Sequence, residues 1–233
     1  MATEAVPQDQ ANELRVELPQ QRPPAPTELV VTTRPAAESI ADPGPLGLAC
    51  FALTTFVLSI FNAGVFEQTA AMKPVYLSIA LVYGGVAQML AGMWEFKKNN
   101  TFGAVAFTSY GAFWVSLALF VKFWGPAMKA SAAGDAGYET ALGIFLLSWT
   151  IFTAYMLVGS FRTNKALASV FGSLFVVFLL LVFGKFNQDM PGLTEWAGYL
   201  GIVTACLAWY TSAAGILNPM YGRTVLPTGP FKK

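Results

Sequence analysis

Histidine is absent from this 233-residue chain, and cysteine occurs only at Cys50 and Cys206. Without an imidazole, His-based metal sites and Ser-His catalysis are excluded. Both cysteines fall inside apolar runs, where packing rather than a disulfide is the expected role. Charge is scarce as well: 12% of the residues are charged, against roughly 25% in ordinary soluble domains. A formal net charge of +1 gives no electrostatic footprint for nucleic acid, so none is expected as a partner.

The charge that exists is unevenly placed. Seven acidic residues and three arginines fall in the first 42 positions. None lies within 103–120, 140–161, 166–184 or 196–222. Each of these runs is long enough, or nearly so, to cross about 30 Å of hydrocarbon as a helix. With 55% hydrophobic residues, the chain reads as an all-α polytopic membrane protein.

The opening "MATEAVPQDQANELRVELPQ" has neither a basic n-region nor an apolar h-region, so no cleavable signal peptide is read there. Residues 1–41 hold six of the fourteen prolines and read as a disordered acidic tail. Six transmembrane helices are expected after it, over about 46–63, 75–95, 102–123, 138–160, 166–186 and 195–217. They make a membrane domain over 42–222, followed by a short tail over 223–233. Lys97, Lys98, Arg162, Lys165, Arg223, Lys232 and Lys233 lie on one side, against Lys73, Lys122, Lys129 and Lys185 on the other. That bias predicts cytoplasmic termini. Small-residue seams (Gly85, Ala87, Ala91 and Gly92; Gly198, Gly201, Ala205 and Ala208) let helices approach closely, within the bundle or between copies.

Polarity that survives at membrane depth marks function, and here it is nearly all neutral. Asn62, Tyr83, Gln88, Thr108 and Thr153 are the candidate pathway residues. Hydroxyl and amide groups hold a small carboxylate loosely enough to release it, or accept its neutral acid form. Glu95 ends the second span just before Lys97 and Lys98 and reads as an interfacial carboxylate, with proton handling as the alternative. No nucleophile–base pair or metal-ligand cluster is visible in the spans, so neither an enzyme, a cofactor nor a metal is expected.

Before the first span stands "DPGPLGL", residues 42–48. Pro43 and Pro45 suit a first helical turn, where a missing N–H is tolerated. Gly47 leaves room for a neighbour or a ligand, and the free N–H groups of the turn suit a carboxylate. This stretch resembles the Asn-Pro-Ala-Pro-Leu-Gly-Leu signature of the acetate uptake transporter family. "YGGVAQMLAGMWEFKKNNTFGAVAFTSYGAFW" at 83–114 and "YGRTVLP" at 221–227 are similar to further blocks of that family. The resemblance spans about 42–228.

The resemblance implies a six-helix fold assembled as a homo-hexamer, with a pathway through each protomer. It implies transport of acetate, other short monocarboxylates such as propionate, or succinate across the plasma (inner) membrane. Members act as proton-coupled carriers or as channel-like anion pathways. It places a narrow apolar constriction on Phe51, Tyr110 and Leu174, size selection on Leu174 and Ala208, and an entrance motif on Asp42, Pro43, Pro45, Leu46, Gly47 and Leu48. Asp42 and Gly44 depart from the signature's Asn and Ala. A sensor or scaffold that binds carboxylates without conducting them is the alternative, with the acidic tail as its signalling element.

Overall fold

In a computed structural model, residues 40–66, 73–190 and 192–231 are described. The N-terminal tail over 1–39 lies outside them, as do the side chains of Lys73, Lys232 and Lys233. All regular structure among the described residues is helical, apart from one isolated bridge between Asn164 and Pro230.

Helix α1 runs Gly44–Asn62. Helix α2 joins Lys73–Leu81, a π-helical turn at Val82–Ala87, and Gln88–Lys97. Helix α3 joins Thr101–Leu119, a second π-helical turn at Phe120–Trp124, and Gly125–Ala130. Then come α4 (Gly134–Ser160), α5 (Lys165–Phe186) and α6 (Gly192–Met220). Six of these stretches are long and apolar enough to cross a membrane, as the sequence predicts. The largest difference is at the end of α3, which continues past the expected 123 to Ala130. Pro126 has no N–H to give the preceding turn, and the π-helical turn just before it takes up the register change.

Helix starts follow their sequences. Pro43 and Pro45 flank the α1 start, whose first backbone bond runs from Gly47 N to Pro43 O at 3.1 Å. Asp42 Oδ1 accepts from Gly44 N at 3.0 Å. Asn100 and Asn164 cap α3 and α5 by accepting from Gly103 N and Leu167 N. Capping side chains of this kind satisfy first-turn N–H groups that the helix itself leaves free.

Packing uses the small-residue seams. A Cβ at Gly198 would collide with Ala63, and one at Gly201 with Ser59, so the α6 seam is an intramolecular contact with α1. Ser212 Oγ donates to Pro45 O at 2.6 Å at the other end of that seam. The α2 seam meets α3, where Gly92 lies against Thr108 and Gly111 against Met89 and the Gly85 carbonyl. Gly47 is filled by the Phe107 ring, 2.6 Å from where its Cβ would stand. Its space therefore serves a neighbouring helix. Cys50 is buried as expected, but Cys206 is exposed on α6 and packs nothing away.

The described part of the C-terminal segment folds back as a strap. Asn218 Oδ1 accepts from Val225 N and Leu226 N, while its Nδ2 donates to Leu226 O. Tyr210 donates to Pro227 O at 2.8 Å. Thr228 and Gly229 carbonyls then take the free N–H groups of Ala166 and Lys165 at the start of α5.

Candidate transport pathway

Two cavities, each of about 490 Å³, enter the bundle from opposite ends. The tail-side vestibule lies where α1, α3 and α5 begin and α2, α4 and α6 end. Asp42, Pro45, Leu48, Gln88, Glu95, Lys98 and Asn100 are in its wall, and Thr228 of the strap edges it. Phe51, Tyr110 and Leu174 also line it. The far vestibule is walled by Leu58, Asn62, Tyr76, Lys129, Glu139 and Lys185, among others.

The three residues expected at the constriction are brought together. Phe51, Tyr110 and Leu174 are 5%, 3% and 5% exposed and sit on three different helices. The Phe51 and Tyr110 rings are 5.9 Å apart, centre to centre. Tyr110 is further boxed by Phe152, edge-on at 5.2 Å, and by Phe171 at 6.2 Å. Its hydroxyl lies 2.9 Å from Thr153 Oγ1, which itself donates to Trp149 O at 2.8 Å. Because the only Thr153 hydroxyl hydrogen is committed to Trp149, Tyr110 is the donor of the shared bond. Its own hydrogen is spent there, and the ring is held in place with its apolar faces free. Thr153 thus positions the Tyr110 ring and does not line either cavity.

Between these rings and the far vestibule lies packed hydrophobic core. On α1 seven residues separate Phe51 from Leu58, about 10 Å of helix; on α3 eleven separate Tyr110 from Val121, about 16 Å. Phe113 is the hub of this plug, with Phe178 edge-on at 5.6 Å and Phe145 stacked at 5.6 Å. Two buried polar atoms there have no partner, Thr55 Oγ1 and Trp114 Nε1. They sit one helical turn beyond Phe51 and Tyr110 respectively.

The other expected pathway residues separate into two groups. Gln88 is fully buried, belongs to the tail-side wall, and has no partner on either amide atom. An amide left so costs on the order of 1–3 kcal/mol, which a bound polar group would recover. The π-helical turn sets its position: Gly84 and Gly85 there lie against Thr54 and Val115, and Gln88 follows directly. Asn62, at the end of α1, lines the far vestibule. Tyr83, Thr108 and Ala208 line neither cavity. Tyr83 reaches the Cys50 thiol, Thr108 sits in the α2–α3 crossing, and Ala208 is fully buried on α6, one turn from the lining residue Thr211. Within the entrance motif, Asp42, Pro45 and Leu48 face the vestibule; Pro43 is buried, Gly47 packs on Phe107, and Leu46 is exposed.

Charges are distributed differently from the sequence reading. Glu95, near the end of α2, is 1% exposed and so is a buried carboxylate. Lys98 turns instead to Asp42, with Nζ 2.7 Å from Oδ1. This ion pair shields the negative cap at the entrance. In the far vestibule Lys185 pairs with Glu139 at 2.8 Å, while Lys129 pairs with Asp135 and lies over the Tyr138 ring. Sequence spacing gives no sign of the Lys185–Glu139 pair, because its members come from helices that only packing brings together. Among the described residues no three His, Cys, Asp or Glu side chains could hold a metal ion.

Known proteins share this architecture. The chain is 38% identical to the succinate-acetate/proton symporter SatP of Escherichia coli (strain K12) over 190 residues, 82% of this chain and 96% of that protein. Over 204 residues it is 38% identical to acetate permease A of Emericella nidulans, covering 84% of this chain and 68% of the permease. A solved structure described as the bacterial acetate channel SatP superposes with a TM-score of 0.73 at 38% identity, covering 82% of this chain and all of that one. The family model for GPR1/FUN34/yaaH proteins matches residues 27–233, starting upstream of the stretch whose motifs carry the resemblance. The chain belongs to the GPR1/FUN34/yaaH family, and it is a membrane protein of six spanning helices.

Proposed function

We propose that this protein moves acetate and related short carboxylates, succinate among them, across the membrane through a pathway within each protomer. The observation that carries the reading is the pair of opposed vestibules separated by the ring of Phe51, Tyr110 and Leu174. An apolar ring of this kind resists hydrated ions, because stripping their water is costly. A small acid with a methyl group has little water to lose once its carboxyl group is neutral.

Gln88 supports that reading chemically. Its unpartnered amide offers one acceptor and a donor pair in the vestibule wall. A carboxylic acid is complementary to it, giving its O–H to Oε1 and taking Nε2–H on its carbonyl. Leu174 sets the width available to the rest of the substrate, Ala208 bears on it only from behind the wall, one turn from Thr211, and Asn62 receives it at the far end. The names of the relatives, symporter, permease and channel for acetate or succinate, agree with this substrate class.

The lysine and arginine bias supports cytoplasmic termini, with the tail-side vestibule opening inward at the plasma (inner) membrane. The assembly proposed is a homo-hexamer. Labelled-acetate uptake into proteoliposomes holding the purified chain is the test. Uptake above that of empty liposomes is expected; equal uptake would overturn the reading. Chemical cross-linking in native membranes, read as a ladder ending at six subunits, checks the assembly.

A further inference from the structure

We propose that Glu95 is the proton donor and acceptor for the substrate carboxyl group in the tail-side vestibule. The proposal rests on the transport reading above and names the residue through which a proton would travel with the acid.

Glu95 is buried to 1% exposure near the membrane end of α2, yet belongs to the wall of a cavity that continues down to Phe51 and Tyr110. It has one recorded donor, Asn100 Nδ2, 2.8 Å from Oε2. Asn100 is fixed in that orientation, because its Oδ1 accepts from Gly103 N at 3.1 Å. The second oxygen, Oε1, faces the glycine surfaces of Gly44 and Gly103, 3.3 and 3.1 Å from where their Cβ atoms would stand. Among the described residues no salt bridge reaches Glu95: Lys98, whose charge is felt there, pairs with Asp42. The charged groups that face Glu95 are Asp42 at the start of α1 and Lys98 in the α2–α3 turn, and these two are paired with each other.

A purely structural acid at this place would be expected to take the lysine three residues away. Here the lysine is paired with Asp42, and the second carboxyl oxygen lies against glycine surfaces beside a water-accessible cavity. Charged, it opposes a carboxylate in the same low-dielectric chamber. Protonated, it can hand its proton over. The Glu95 acid O–H bond breaks as the proton forms a new O–H bond on the substrate carboxylate, leaving a Glu95 carboxylate and a neutral acid. A proton from solution then restores Glu95. From Gly103, which abuts Glu95, to Tyr110 is seven residues, about 10 Å along α3, so the neutral acid is formed one cavity length above the apolar ring. In the reverse direction Glu95 takes the proton from an emerging acid.

The experiment measures labelled-acetate uptake by the full chain in proteoliposomes across a pH series, with empty-liposome uptake subtracted. Wild-type uptake should rise as pH falls, by up to tenfold per pH unit on the alkaline limb, the limit for one titrating group. Glu95→Gln, which still accepts from Asn100, should lower uptake roughly tenfold at the acidic end and flatten the profile. Glu95→Asp should restore a pH-dependent profile. Infrared difference spectra between acidic and alkaline pH should show a carboxylic C=O band in the wild type that Glu95→Gln removes. This spectrum also needs no active variant if Glu95→Asp alone folds, since its band should shift. A Glu95→Gln profile that keeps the wild-type pH dependence, a flat wild-type profile, or no Glu95 band would overturn the proposal. Wild-type uptake no higher than that of empty liposomes would instead overturn the transport reading itself.

Discussion

The tail-side vestibule presents two carboxylates, Asp42 and Glu95, with one lysine, whereas the far vestibule presents two lysines, Lys129 and Lys185, with one glutamate. Their volumes are alike, about 490 Å³ each. Their chemistry is not. The far end favours a carboxylate as the anion it is in neutral water. On the transport reading proposed above, the tail-side end, where the Gln88 amide alone is unpartnered, suits a carboxyl group that has lost its charge. A single route with two such ends needs a place where charge state changes, and the apolar ring between them admits the neutral form more readily.

The ring is the feature whose loss should blur the two ends most. Leu174→Ala trims to a methyl the isobutyl side chain that lines the tail-side vestibule with Phe51 and Tyr110. The uptake ratio of lactate to acetate should rise about tenfold, the usual scale for discrimination by one or two methylenes. An unchanged ratio in paired uptake assays would remove Leu174 as the size filter. Next in size is Lys185→Gln, which leaves Glu139 without its partner at 2.8 Å and removes the excess of positive charge in the far vestibule. Half-saturating acetate should rise about fivefold, equivalent to about 1 kcal/mol of lost attraction at short range in a hydrated site. High salt should shrink the difference, because mobile ions screen such mouths. Glu139→Gln should act in the opposite direction and more weakly, lowering half-saturating acetate about threefold, since the released ammonium can turn into water. Equal effects of the same sign from both substitutions would erase the contrast between the vestibules.

The six spans are legible because hydrocarbon punishes every charge, so gaps in the charge pattern mark where the helices lie, though not their ends. The α2 start is extended by only two residues and the α5 start by one, against seven at the end of α3. That last extension depends on a π-helical turn, which leaves no hydropathy signal. Gln88 is legible as a residue whose amide cannot be satisfied within its own helix, and the structure leaves it unsatisfied. Phe51, Tyr110 and Leu174 are legible only through resemblance, since each alone looks like any core residue; their convergence needs three helices to be packed. Glu95 misleads for a related reason. Two nearby lysines suggest an ion pair in sequence, but α1 brings Asp42 to Lys98 first. Thr108 looks like a pathway hydroxyl and is instead the surface against which Gly92 packs.

The smallest expected effect concerns how firmly the boundary between the vestibules is held. Tyr110 donates to Thr153 at 2.9 Å, and Thr153 keeps its own bond to Trp149 O. Tyr110→Phe deletes one hydroxyl and leaves no buried donor without an acceptor, so the cost belongs at the low end, about 1 kcal/mol. A loss of that size should lower the melting temperature in detergent by a few degrees, about 2–4 °C for a chain of this length. The phenyl ring keeps the apolar surface that faces Phe51 at 5.9 Å, so acetate uptake should remain within about twofold, the scale of a few tenths of a kcal/mol. What should change is rigidity: a ring without its tether can swing, and the lactate-to-acetate ratio should move slightly in the direction of Leu174→Ala. A Tyr110→Phe protein with lost uptake and an unchanged melting temperature would mean that the hydroxyl itself meets the substrate. The boundary would then be polar on one side, and the two vestibules would hand the acid to each other through Tyr110 and not past it.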